Sequence, residues 1–111
     1  MRVVYIVSDG GHDYSKASKF GELLYCTRGS LDKWDLSQMY RVLTTALEGA
    51  QASDLILITS LTSLCCIASA IMAARFGEVH FLLFKEGEYI EHSLILDKDT
   101  QDDNIGNRVT S

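Results

Sequence analysis

Polar and glycine residues follow three apolar segments of this chain, at the points where β-strands would end. The first group covers residues 8–12, the second begins at Arg28, and the third covers residues 59–63. Hydroxyls and free N–H groups at a helix start hold anions, an arginine fork pairs with phosphate or carboxylate, and paired glycines let a ligand approach the backbone. These residue types predict a site for a phosphorylated small molecule, with the ligand-binding residues Ser8, Gly10, Gly11, His12, Arg28, Ser60, Thr62 and Ser63.

The strength of this predicted site depends on Arg28. A helix start contributes about 0.3–2 kcal/mol to binding a negative charge, whereas micromolar affinity requires about 8 kcal/mol. The arginine, with an aromatic ring such as Tyr14 or Trp34, must therefore supply most of the binding free energy. In the alternative interpretation, the hydroxyls only cap the helix, the glycines form a turn and the arginine is solvated.

His12 is the residue best suited to proton transfer in this set, because Asp9 or Asp13 could orient its ring. Ser8 and Ser60 are the candidate hydroxyl nucleophiles. Neither a P-loop nor a GxGxxG fingerprint occurs in the sequence, and the acids at this edge are too few for a metal-dependent nuclease. The sequence predicts no cofactor and no metal site, and it favours binding over catalysis.

Eight segments must position these groups. The apolar, β-branched segments predict strands over residues 2–7, 22–27, 55–58, 79–84 and 89–96, and the helical patterns cover residues 14–20, 36–47 and 62–76. Alternating strands and helices predict an α/β fold: a small three-layer domain with a mainly parallel four- or five-stranded sheet, helices on both faces and a C-terminal antiparallel hairpin strand. Because ligands bind beyond the carboxyl ends of parallel strands, the site requires the first three strands to be parallel.

Capping residues mark the helix ends. Asp13 precedes the first helical segment and Gly21 follows it, and Asp35 precedes the second with Gln38 three residues later, as in a capping box. Gly49 and Gly77 offer stops for the second and third.

Length and charge limit the classes of partner. A chain of 111 residues with 47% hydrophobic residues fits one domain, predicted over residues 1–96, with a polar, acidic and flexible tail over 97–111. The net charge is −5, and the excess of acids lies in residues 86–111. Without a basic stripe, nucleic acid is not an expected partner.

Cysteine usage and hydropathy predict a cytoplasmic protein. Three cysteines without CxxC spacing favour reduced thiols, with Cys65 and Cys66 filling the core. The uncharged segment 55–74 has the length of a membrane span, but its five hydroxyl residues and its division into strand, turn and helix argue against insertion. His80 is predicted to be a hydrogen-bonded core residue and His92 an edge residue.

Four stretches carry a resemblance to known proteins: Gly11-His12-Asp13-Tyr14-Ser15, Phe20-Gly21-Glu22, Thr59-Ser60-Leu61-Thr62 and His80-Phe81-Leu82-Leu83. Over residues 1–96 the chain resembles a set of small uncharacterised bacteriophage proteins. The resemblance implies a viral accessory protein and carries no activity or site residues with it.

Two functions therefore remain open. The first is a non-catalytic phage-type accessory protein that binds a host or phage protein, such as a defence component, in the host cytoplasm. The last strand would suit strand addition to such a partner, or a homo-oligomer. The alternative is a protein that binds, and with His12 could hydrolyse, a nucleotide or other phosphorylated small molecule.

Overall fold

The computed structural model describes residues 2–9, 12–27, 32 and 34–96. In chain order the elements are β1 (Val3–Ile6), a 3₁₀ helix (Ser15–Phe20), β2 (Glu22–Tyr25), α1 (Leu36–Ala46), β3 (Leu55–Leu57), α2 (Thr62–Phe76), β4 (Glu78–Lys85) and β5 (Glu88–Ile95). Gly10, Gly11, Arg28 and the tail 97–111 lie outside the described residues, and with them the predictions made for those positions.

The five strands form one mixed sheet in the order β2-β1-β3-β4-β5. β1 pairs in parallel with both β2 and β3, and β3 pairs in parallel with β4. β5 is antiparallel to β4 over eight residue pairs, which is the longest pairing in the sheet. The predicted α/β character and the parallel direction of the second strand are confirmed, whereas the prediction of a mainly parallel sheet is corrected to a mixed one.

Alternate residues of each strand face opposite sides of the sheet and fill two cores. One side packs Tyr5, Val7 and Ile56 against α1 and α2, which contribute Leu43 and Met72 among others. The other side packs a second apolar cluster against the 3₁₀ helix, with members Val4, Ile6, Tyr14, Ala17, Leu55, Leu57 and Leu82. Among the described residues, both α-helices therefore lie on one face, and the opposite layer is the six-residue 3₁₀ helix.

Asp54 joins the start of β1 to the turn before β3. It is only 2% exposed, and its Oδ1 accepts the N–H of Val3 at 2.9 Å while its Oδ2 accepts the N–H of Gln51 at 2.8 Å. A buried carboxylate is tolerated when hydrogen bonds satisfy its oxygens. Asp54 thus satisfies one backbone donor in β1 and one in the turn before β3.

The β4–β5 hairpin closes through Glu86 and Gly87. Both have positive φ, 52° and 85°, which is the conformation of a two-residue turn suited to the twist of a hairpin. The hairpin also contacts the start of the sheet, because the Arg2 guanidinium donates to both carboxylate oxygens of Glu91, at 3.0 and 2.7 Å. This bidentate pair lowers the pKa of Glu91 and raises that of Arg2.

The predicted caps at Asp35, Gly21 and Gly77 are confirmed. The predictions of Asp13 as a cap and Gly49 as a stop are wrong, because Tyr14 is the N-cap of the 3₁₀ helix and α1 already ends at Ala46. Asp35 Oδ1 accepts the N–H of Gln38 at 3.0 Å and begins α1, and Asp13 Oδ1 accepts the N–H of Ser15 at the 3₁₀ helix. Gly77 ends α2 in the left-handed conformation, with φ of 72°. Among the described residues, none of the helices combines the length and the apolar character that crossing a bilayer requires.

Candidate functional site

A crevice opens where β1 and β3 end. It is lined by His12, Asp13 and Tyr14 after β1, by Leu57, Ile58, Thr59 and Ser60 around the end of β3, and by Phe84 and Tyr89 of the hairpin, and its volume is about 380 Å³. β1 and β3 are neighbours in the sheet. The chain leaves β1 towards β2, which lies on the side away from β3, and it leaves β3 towards β4, which lies on the side away from β1. Such a reversal of strand order is where open α/β sheets bind ligands.

The structure brings some of the predicted site residues together at this crevice. His12 and Ser60 both line it, and so does Asp13. Ser8 does not appear in the lining, and Thr62 and Ser63 lie exposed at the start of α2, beside the crevice and not in its wall. The predicted partners Gly10, Gly11 and Arg28 lie outside the described residues.

Local hydrogen bonds fix the loop between β3 and α2. The Thr59 hydroxyl oxygen accepts the N–H of Leu61 at 3.1 Å, and the Thr62 N–H donates to the Ser60 carbonyl at 2.9 Å. The Cys65 sulfur lies 3.3 Å from the Thr59 nitrogen and accepts its N–H. Because these donors are used within the loop, fewer N–H groups at the start of α2 remain for an anion.

Aromatic rings form the walls of the crevice. The Phe84 and Tyr89 rings pack edge to face with centroids 5.0 Å apart, and the His12 and Tyr14 rings are 6.0 Å apart. Burial raises the pKa of both Tyr14 and Tyr89, and the negative charge of Asp13 raises that of Tyr89 further. Trp34, the other ring predicted for this site, is 86% exposed in the turn before α1 and is not part of the lining.

Phe84 and Tyr89 were not predicted from the sequence as site residues. They are direct partners in the β4–β5 register, with four residues between them around the turn. The pairing of these two rings follows from the turn length, which is readable from Glu86-Gly87. Their arrival at the crevice depends on β4 lying next to β3, which only the strand order decides.

The predicted catalytic candidates do not form a complete set. Asp13 is held by Ser15, whose N–H lowers the pKa of this carboxyl, and it does not appear bonded to His12. Asp9 donates its backbone N–H to the Thr27 carbonyl at 3.4 Å. No group of three His, Cys, Asp or Glu side chains in the described part of the chain could hold a metal ion.

A second polar cluster lies on β4 and β5 and was missed in part by sequence reasoning. His80 Nδ1 is 2.6 Å from the Ser93 hydroxyl, and His80 Nε2 is 2.7 Å from Glu78 Oε1. The prediction that His80 is hydrogen-bonded is confirmed, but the residue is only partly buried and belongs to neither core cluster. Ser93 sits in mid-strand and not on the sharp turn that presents a nucleophile, so this cluster links β5 to β4 across the sheet.

The three cysteines differ in accessibility. Cys65 is buried and Cys66 is exposed, so the prediction that both fill the core is wrong for Cys66. Burial raises the pKa of Cys26 to about 12, which keeps its thiol protonated. We expect a disulfide reagent at pH 8 to label one thiol rapidly in the native protein and all three in denaturant. Replacing Cys66 with serine should remove the rapid phase, and a rapid phase that survives would contradict this assignment.

Among the residues that the structure describes, β5 forms one edge of the sheet, and no other strand pairs with its outer side. The Leu96 N–H donates to the Gly77 carbonyl at 2.9 Å, and this pair continues the β4–β5 register. In antiparallel pairing such hydrogen-bonded pairs alternate, so the residues that direct their N–H and C=O groups to the open edge are Tyr89, Glu91, Ser93 and Ile95. Large apolar side chains of this strand are also exposed, at 41% for Ile90, 52% for Leu94 and 63% for Ile95.

One known protein family matches the chain over nearly the whole of the described domain. The family model that matches is described as Phage Pam3 gp32-like protein, and the match spans residues 3–98. No curated protein and no solved structure matches the chain. All five strands and both α-helices fall within the match, and the resemblance to small phage proteins is confirmed. The chain belongs to the Phage Pam3 gp32-like protein family.

Proposed function

We propose that this phage protein is a non-catalytic accessory protein that binds a host protein in the host cytoplasm, and that β5 is the strand it presents. The observation that carries the proposal is the outer edge of β5, eight residues long, which no strand of the described part of the chain covers and which has exposed apolar side chains beside it. An unpaired edge offers a row of N–H and C=O groups to an extended partner segment. The chain contains no proline that would interrupt this row.

The side chains of β5 define the segment that would fit. Ile90 and Leu94 project from the face that carries the α-helices, where they pair with Leu83 and Val79 of β4. A partner strand with apolar residues at alternate positions would extend this row. On the other face Glu91 accepts hydrogen bonds from Arg2. The partner residue that pairs with Glu91 should therefore be polar.

Hydrogen bonds between the main chains of β5 and the partner strand would contribute most of the affinity. Contacts with the apolar side chains of Ile90 and Leu94 would determine which partner residues pair with which residues of β5. A net hydrogen bond is worth about 1 kcal/mol, and burying a side chain such as leucine contributes about 1.5–3 kcal/mol. Ile90 and Leu94 are already about half covered, so each would contribute less than that full amount. Several edge hydrogen bonds together with this burial reach the range of micromolar binding.

The test compares Ser93→Pro with Ser93→Ala. Proline removes the N–H of Ser93 from the open edge without removing a hydrogen bond to β4, whereas alanine keeps that N–H. Both variants lose the hydrogen bond between the Ser93 hydroxyl and His80. They differ only in that proline lacks the backbone N–H and restricts the backbone conformation. We expect the partner, captured from host lysate by the wild-type chain and then purified, to bind Ser93→Pro at least about tenfold more weakly. Ser93→Ala should bind like the wild type.

Equal binding by both variants, with both folded as judged by circular dichroism and thermal melting, would contradict the proposal. A stable dimer in sedimentation that becomes a monomer in Ser93→Pro would also contradict it, because a second copy of the chain would then occupy the edge.

A second candidate function is supported by the crevice. Its position at the reversal of strand order is typical of small-molecule sites in α/β proteins, and His12 and Ser60 line it. For a nucleotide or another phosphorylated ligand, Arg28 would have to supply the positive charge, since the described lining contains neither lysine nor arginine. The ligand titrations described below also test this candidate.

A further inference from the structure

The crevice combines three aromatic rings with a carboxylate. Tyr14, Phe84 and Tyr89 line it together with Asp13. A cation is attracted to the faces of aromatic rings, and aromatic cages are the recurrent way in which proteins hold quaternary ammonium groups. We propose that the crevice binds a methylated or quaternary ammonium group. This inference rests on the second candidate function, that the crevice is a small-molecule site.

Charge separates this ligand class from phosphate. The Asp13 carboxylate accepts the Ser15 N–H at 2.9 Å, an arrangement that keeps it ionised at neutral pH. Lys16 donates an ammonium N–H to the Gly87 carbonyl at 3.2 Å and, with Lys19, lines a neighbouring pocket that shares Tyr89 with the crevice. Its positive charge also helps to lower the pKa of Asp13, but Lys16 is not part of the crevice lining. In the part of the crevice that the structure describes, the lining therefore combines one carboxylate with the rings of Tyr14, Phe84 and Tyr89 and the His12 imidazole, and it contains no lysine or arginine.

The three rings differ in exposure, and Tyr14, at 8%, offers little of its surface to a ligand. The Phe84 and Tyr89 rings stand edge to face, so they cannot both cover each other's faces, and Phe84 is 57% exposed. Tyr89 is partly buried between Phe84 and the 3₁₀ helix region, which fixes its position. Preformed rings lose little conformational freedom on binding.

The size of the crevice admits more than the ammonium group. Its volume of about 380 Å³ lies within the range of small-molecule sites. The Thr59 and Ser60 side chains line the same space and offer hydroxyls to a short polar substituent. Choline and the side chain of trimethyl-lysine share the required chemistry and differ in what the ammonium group is attached to.

The experiment is a set of titrations of the full chain, followed by amide and aromatic NMR shifts of the lining residues. The probes are choline, its uncharged tert-butyl analogue dimethylbutanol, a trimethyl-lysine peptide with its unmethylated counterpart, inorganic phosphate and AMP. We expect choline to bind with a dissociation constant on the order of 1 mM and dimethylbutanol at least about tenfold more weakly. Choline or the methylated peptide, whichever binds more tightly, identifies the source of the ammonium group.

Variants distinguish a cage from a general effect on folding. Tyr89→Leu should weaken choline binding about tenfold, whereas Tyr89→Phe keeps the ring and should bind within about threefold of the wild type. Tyr40→Leu, at an exposed tyrosine of α1, is the matched control and should bind unchanged. Asp13→Asn should weaken choline binding and leave dimethylbutanol unaffected.

Three results would overturn the inference, and they differ in what they say of the second candidate function. Saturable shifts with phosphate or AMP and none with choline would reject the cage and support an anion site dependent on Arg28. Shifts with none of the probes would reject both. Equal affinity for choline and dimethylbutanol would show an apolar pocket without recognition of charge.

Discussion

Replacing Asp54 with alanine is expected to lower the free energy of unfolding by about 3 kcal/mol. The Asp54 side chain is buried and accepts two backbone N–H groups, those of Val3 and Gln51. Alanine would leave both donors without this partner at the junction of β1 and β3, and each unsatisfied buried group costs about 1–3 kcal/mol. Urea denaturation followed by circular dichroism measures the change.

Asp54→Asn is the matched variant, because it retains the size of the side chain. Its amide presents one oxygen and one NH₂ group, so one of the two backbone N–H groups faces a donor. We expect a loss between that of alanine and zero. If Asp54→Ala unfolds at the same urea concentration as the wild type with an unchanged slope, the carboxylate does not organise this junction.

Replacing Gly21 with alanine is expected to destabilise the protein by about 3 kcal/mol through steric overlap. A Cβ atom at this position would lie 2.3 Å from the Arg2 carbonyl oxygen and 2.8 Å from its carbonyl carbon. These are backbone atoms, and the same oxygen accepts the N–H of Glu22 at 3.1 Å. Either β2 or the start of β1 would have to move, at the cost of this hydrogen bond. Thermal and urea unfolding report the loss.

Gly49→Ala serves as the control for this prediction. No atom lies within 4 Å of a Cβ built on Gly49, so we expect no loss of stability, and a gain of up to about 1 kcal/mol through the reduced freedom of the unfolded chain. Equal stability of Gly21→Ala and Gly49→Ala would mean that the β1–β2 junction adapts without cost.

Much of the secondary structure could be predicted because its signals are local. Asp35 caps α1 through a bond to a residue three positions away, and Gly77 ends α2 by adopting a conformation that other residues rarely adopt. The Glu86-Gly87 turn likewise sets the pairing of β4 with β5. Each of these signals depends on a few neighbouring residues, so it can be recognised in the sequence.

The distribution of the helices follows from strand order. The connections from β2 to β3 and from β3 to β4 move across the sheet in the same direction, whereas the connection from β1 to β2 moves in the opposite direction. Because such crossovers are right-handed, α1 and α2 share one face and the 3₁₀ helix takes the other. The sequence patterns indicated the helices, but they contained no information on this order.

The candidate site was likewise predictable in part from the sequence. That polar residues would gather beyond the ends of β1 and β3 was predictable, since it required only parallel strands, and His12 and Ser60 do line one crevice. The chemistry of that crevice was not predictable, because Phe84 and Tyr89 come from a distant hairpin and the described lining is acidic and aromatic.

By itself the sequence determined the order of the elements, the caps at Asp35 and Gly77 and the presence of the C-terminal hairpin, because these arise from contacts between residues close in the chain. Only the tertiary structure decided the mixed sheet, the side on which each helix packs, the open edge of β5 and the aromatic walls of the crevice. These features arise from contacts between segments far apart in the chain, and their free energies depend on the whole arrangement of strands.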